Sequence, residues 1–137
     1  MTSWSLKNPQ QEYLRMELLS PPAKGEGYDW ISAEASIDVG GFRGRTTLMI
    51  TYTDLVNFAG QVHALYQTLQ GSAEFKTIED QIKLKLTADG LGHLTVTGHL
   101  MDQAGNGNKL IFTFDFDQTI LQRTMIELDE AINNMNE

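Results

Sequence analysis

The chain contains no cysteine. That excludes a disulfide framework, a cysteine nucleophile and thiolate metal sites, and it fits a reducing compartment. Positive charge is scarce: ten lysines and arginines stand against eighteen aspartates and glutamates, for a formal charge of −8. A nucleic-acid binder needs a basic stripe to offset phosphate repulsion, and the sequence shows none. The same imbalance disfavours anionic membranes. Long hydrophobic runs are missing as well, so no signal peptide or membrane span is visible, and the expected compartment is the cytoplasm. Residues 1–11 are polar and read as a loosely ordered N-terminal segment.

What remains is an ordinary globular composition. With 137 residues, 41% of them hydrophobic, the chain is long enough to bury a core, and residues 1–137 are expected to form a single domain. The clearest pattern lies near the C-terminus. Leu110, Phe112, Phe114 and Phe116 alternate with Ile111, Thr113 and Asp115, which is the period of a strand. After Asp117-Gln118-Thr119 the period becomes that of a helix, with Leu121, Met125, Leu128, Ile132 and Met135 on one stripe. Thr119 and Gln122 fit a capping box for that helix.

Earlier segments follow the same logic. Glu12 to Leu19 reads as a strand, and Ser20 to Gly27, with Pro21-Pro22 and two glycines, as a loop. Tyr28 to Val39 alternates strictly. Gly40-Gly41 signals a hairpin, and Phe42 to Tyr52 returns. Thr53 or Asp54 opens a helix whose apolar stripe runs from Leu55 to Leu69, with Gly71 as its stop. Ala73 to Leu86 reads as one strand with a bulge around Phe75 to Ile78. Asp89-Gly90 marks a hairpin into the strand that carries Leu94 to Leu100, and Asp102 to Asn108 a further turn. No internal repeat is visible. The expected architecture is α+β: a mainly antiparallel sheet of about six strands, with two amphipathic helices covering one face.

Catalytic, cofactor-binding and metal-ligating motifs are absent, so the sequence predicts a non-enzyme without cofactors. His93 and His99 lie on one strand about 20 Å apart, too far to share a metal, and His63 lies beside the helix stripe. Asp115 and Asp117 lie about 7 Å apart on a polar strand face, a separation that suits paired carboxylates, but nothing in the sequence suggests a cleft there. The better reading is that Asp117 ends the strand and orders the turn. Arg43 and Arg45 face Glu34 or Asp38 across the Gly40-Gly41 hairpin as cross-strand ion pairs. Trp30 shares the polar parity of its strand, where it either anchors a partner or packs beneath the Ser20–Gly27 loop.

The alternation from Tyr28 to Val39, the Gly40-Gly41-Phe42 turn, the Thr53-Asp54-Leu55 helix opening, the Leu84–Leu100 hairpin and the closing element Asp117-Gln118-Thr119-Ile120-Leu121 resemble together the WapI-type immunity proteins. These are small bacterial proteins that accompany contact-dependent polymorphic toxins. The resemblance covers nearly the whole chain. It implies a cytoplasmic protein that binds and neutralises a cognate toxin domain without catalytic residues.

From Asp115 onward, Asp115, Asp117, Glu127, Asp129, Glu130 and Glu137 face a single cation, Arg123. This acidic surface is therefore expected to meet a basic toxin, with Asp115, Asp117, Glu127, Asp129 and Glu130 as contacts and Trp30 as an aromatic anchor. The alternative is a small-molecule-binding domain or enzyme with an apolar pocket lined by Phe112, Phe114, Phe116, Phe58 and Tyr66. Self-association through a wet sheet face or an edge strand stays open.

Overall fold

The computed structural model describes residues 2–20 and 29–135. The chain runs through four strands and a helix, then repeats that order. The first unit comprises β1 (Thr2–Lys7), β2 (Tyr13–Leu18), β3 (Trp30–Val39), β4 (Phe42–Thr51) and α1 (Tyr52–Thr68). The second comprises β5 (Gln70–Lys76), β6 (Ile82–Asp89), β7 (His93–Met101), β8 (Lys109–Asp117) and α2 (Gln118–Met135). Each set of four strands is an antiparallel meander in its own sheet, ordered β1-β2-β3-β4 and β5-β6-β7-β8. The α+β class matches the expectation, but eight strands in two sheets replace about six in one.

Two strands were hidden in the sequence. β1 occupies the segment expected to be loosely ordered. Only Trp4 and Leu6 point inward from it, and both are fully buried, so the apolar period is too short to stand out. The stretch from Ala73 to Leu86 is split by a turn at Thr77–Gln81 rather than bulged. The β1–β2 and β5–β6 turns place Gln11 (φ 71) and Asp80 (φ 54) in the left-handed region. Glycine usually fills such positions, and neither turn uses it there.

The helix ends also shift from their expected places. Thr51 caps α1: its Oγ1 accepts from Asp54 N–H at 3.0 Å, and Asp54 Oδ2 accepts from Thr51 N–H at 2.9 Å, a complete capping box. Thr53 and Asp54 thus fall inside the first turn. At the other end the cap is Leu69, left-handed at φ 55, and Gly71, also at positive φ (94), follows two residues later. Leu69 packs against the core while Gly71 already belongs to β5. Asp117 caps α2 in place of the expected Thr119–Gln122 box, its Oδ1 accepting from Thr119 N–H at 2.9 Å and Ile120 N–H at 3.2 Å. The helix begins at Gln118, so Thr119 sits too far inside to cap it.

One buried cluster joins both sheets and both helices. At its centre Trp4, Phe58 and Phe75 stack with ring centroids 5.2–5.8 Å apart, a spacing that favours tilted and edge-on aromatic pairs. Phe112, Phe114 and Phe116 join the same cluster, each at most 5% exposed. Their alternation is therefore used to fill the core.

The two units close each other's edges. α1 packs along β5 and α2 along β1. Gln61 of α1 bonds both backbone groups of Glu74 in β5, accepting from its N–H at 2.9 Å and donating to its carbonyl at 3.2 Å. On the other side Glu127 of α2 accepts from Ser5 N–H in β1 at 2.9 Å, and Thr124 Oγ1 donates to the Ser5 carbonyl at 2.6 Å. Side chains thus stand where a neighbouring strand would be, which satisfies edge groups that would otherwise template pairing with another chain.

The first turn of each unit reaches the last strand of the other. Asn8 donates to the Asp115 carbonyl at 2.8 Å, and Gln81 to the Thr47 carbonyl at 3.0 Å. These contacts account for two of the buried polar residues.

Candidate partner interface

The residues singled out from the sequence are spread over β3, β8 and α2. Trp30 begins β3, half-buried on the outer face of the first sheet and opposite Thr51, the cap of α1. The Ser20–Gly27 loop that was expected to cover it lies outside the described residues apart from Ser20. Asp115 and Asp117 lie on the outer face of β8, in the second sheet. Glu127, Asp129 and Glu130 lie on α2.

Most of these carboxylates already have work inside the fold. Asp115 Oδ1 accepts from Thr95 Oγ1 across β7 and β8 at 2.9 Å. Asp117 caps α2, as the sequence reading of an ordered turn required, and Glu127 holds β1. Asp129 receives His63 Nε2 at 2.9 Å from both carboxylate oxygens, which ties α1 to α2. The sequence places His63 only beside the helix stripe; its pairing depends on the fold and has no sequence signal. Of the six candidates only Glu130 is exposed without a hydrogen bond or ion pair among the described residues.

The cations gather on the sheet faces, among carboxylates such as Glu17, Asp38 and Glu74. Lys7, Arg15, Arg43 and Arg45 all occupy outward positions of the first sheet, and Lys76, Lys83, Lys85 and Lys109 of the second. Eight of the ten cations therefore lie on sheet faces. Arg43 meets Asp38 across the β3–β4 hairpin at 3.1 Å, as the register predicts. Arg15 pairs with Glu17 at 3.4 Å and Lys76 with Glu74 at 2.9 Å. The Glu74 carboxyl is held below its ordinary value chiefly by the Lys76 hydrogen bond. Asp89, in the β6–β7 turn, is lowered first by the Leu91 N–H it accepts at 2.7 Å and then by His93.

Three shallow grooves lie among the described residues. One of about 350 Å³ runs between α1 and β5, lined by polar side chains that include Gln61 and Glu74. A second, of about 310 Å³, crosses the first sheet's outer face at Lys7, Tyr13 and Arg15. The third, of about 330 Å³, separates the start of β4 from the β7–β8 end of the second sheet. Phe42, Gly44, Leu100 and Leu110 line it beneath Arg45 and Lys109. None of these grooves is lined by Phe58, Tyr66 or the Phe112–Phe116 row. Among the described residues there is no cluster of three or more His, Cys, Asp or Glu able to hold a metal. No helix among them is long and apolar enough to cross a membrane.

Taken together, the chain is an acidic α+β protein of two reciprocal ββββα units, with charged sheet faces and shallow grooves. The family is settled by its sequence: residues 5–136 match the immunity protein WapI-like family, and the chain belongs to it. Among solved structures, it is similar to a chain of the CdiA-CT/CdiI toxin and immunity complex from Enterobacter cloacae, at 11% identity, TM-score 0.49, covering 85% of this chain and 98% of that one. It is also similar to a chain in the Trypanosoma bruciei MRP1/MRP2 crystal structures, at 9% identity, TM-score 0.54, covering 98% of this chain and 85% of that one. The latter likeness is one of fold. No curated protein matches the sequence.

Proposed function

We propose that this immunity protein acts without catalysis, by binding a cognate toxin domain one-to-one and blocking it. Membership of the immunity family over nearly the whole chain carries the reading. The formal charge of −8 supports a basic toxin, drawn in by long-range attraction and held more weakly as salt rises. Within the acidic set Glu130 is the side chain available for direct contact. Asp115, Asp117, Glu127 and Asp129 contribute field while holding the fold, and Trp30 supplies apolar area at the end of β3.

The test is titration of a purified cognate toxin domain with this protein. Loss of toxin activity that ends at one equivalent, with a one-to-one complex that weakens in salt, is the expected result. Complete inactivation by a small fraction of an equivalent would mean turnover and would overturn the binding mechanism. Glu130→Lys should slow association and flatten its salt dependence without changing stability. A rate unchanged from wild type would remove Glu130 from the interface.

A further inference from the structure

The four outer strands are not equally protected. β1 and β5 are closed by helix side chains, whereas β4 and β8 each receive one turn amide, at Thr47 and Asp115. Along an antiparallel strand, a residue's N–H and carbonyl point to the same side, and the side alternates with each residue. The Thr47 carbonyl faces Gln81, so the backbone groups of Arg43 and Arg45 also point away from β3. No hydrogen bond from elsewhere in the described residues reaches them there.

The third groove lies beside this stretch of edge. Phe42 is 68% exposed on its floor. Gly44 leaves space above the floor, since an added Cβ would meet only Ile37 Cγ2 at 3.4 Å and Leu110 Cδ2 at 3.8 Å. Arg45 and Lys109 at the rim have no ion pair among the described residues.

We propose that the β4 edge at Arg43–Arg45 accepts an extended acidic–apolar segment of the toxin partner as an added strand, a contact that rests on the immunity reading. The register specifies its chemistry. Cross-strand neighbours share a face, so the residue opposite Gly44 falls over Phe42 and Leu110 and is apolar. Its neighbours opposite Arg43 and Arg45 fall on the outer face beside the guanidiniums and are acidic. A second copy of this chain fits poorly, because antiparallel pairing of β4 with itself would bring these arginines against each other, and like charges across a pair destabilise it. The matching stretch of β8 has Ile111 on its outer face instead of a floor to receive an apolar side chain. Main-chain bonds would give the contact its affinity, and alternate side chains its selectivity.

The probe is a fluorescein-labelled peptide, Glu-Ile-Glu-Ile-Glu, followed by anisotropy and by amide shifts in the ¹⁵N-labelled protein. Saturable binding with shifts centred on Arg43 to Thr47 is expected. Arg45→Glu should weaken it by roughly tenfold or more, and Gly44→Val, which fills the groove floor while suiting a strand, should do the same. Methylating the peptide amides that face β4 should abolish binding. No saturable binding, binding indifferent to Arg45→Glu, or shifts centred elsewhere would each overturn the proposal. A toxin still neutralised one-to-one while the peptide fails would reject this edge alone. Loss of one-to-one neutralisation would reject the immunity mechanism itself.

Discussion

His63 and Asp129 occupy the same place in the two helices, each the twelfth residue of its own, and they meet across the helix pair with Nε2 2.9 Å from both carboxylate oxygens. Both side chains are 44% exposed, so water screens the pair. A double-mutant cycle of His63→Ala and Asp129→Ala by urea unfolding should give a coupling of about 0.2–1 kcal/mol. A coupling indistinguishable from zero would reduce the contact to a helix-surface encounter.

Thr124 is a buried hydroxyl whose loss should be costly. Its one hydroxyl proton goes to the Ser5 carbonyl at 2.6 Å, with the Ile120 carbonyl at 3.0 Å as the weaker arm of a shared bond. Thr124→Val keeps the shape and leaves the β1 carbonyl without its donor. The expected loss is about 1–3 kcal/mol in denaturant unfolding, with faster hydrogen exchange along β1. A change below about 0.5 kcal/mol, within the range of ordinary surface substitutions, would show that the edge contact does not stabilise the fold.

Gly98 should resist any side chain. It lies opposite Leu84 in the β6–β7 ladder, and a Cβ there would overlap the Lys83 carbonyl oxygen. Gly98→Ala should therefore lower stability by about 1–3 kcal/mol, the usual cost of overpacking. Gly60→Ala provides the control, since its Cβ would meet nothing within 4 Å, and this change inside a helix should be neutral or stabilising. Equal melting temperatures for the two variants would contradict the strand geometry.

Asp89 predicts an acid dependence of known sign. Hydrogen bonds from Leu91 and His93 lower its folded-state pKa below the ordinary 3.8. Its stabilising contribution is therefore complete above the unfolded carboxylate value and disappears as pH falls through the lower folded value. Asp89→Asn should destabilise the protein at about pH 5 and lose that effect near about pH 2. A ¹³C carboxyl titration with an Asp89 midpoint at or above 3.8 would contradict the turn geometry.

Strands with five inward apolar residues, such as β3, and helices with a continuous stripe could be read directly from period. The elements lost were those with weak local signals. β1 has two inward residues, and its hairpin turns through Gln11. The β5–β6 turn passes through Asp80, whose left-handed backbone is held by the fold around it. The acidic candidates were legible as residues but not as contacts. The sequence shows a negative C-terminal segment; it does not show that Glu127 is bound to β1 or Asp129 to His63, because those partners lie 122 and 66 residues away. Arg43 and Asp38 were legible because a two-residue turn dictates their pairing.

The exchange of edges between the two units has a consequence for what a fragment could do. A single ββββα half would present one strand without its lid and one helix without its strand, and a second identical half would answer both needs at once. The chain therefore has the bonding logic of a dimer written into one polypeptide, in which neither half is a finished object and loss of either exposes the other.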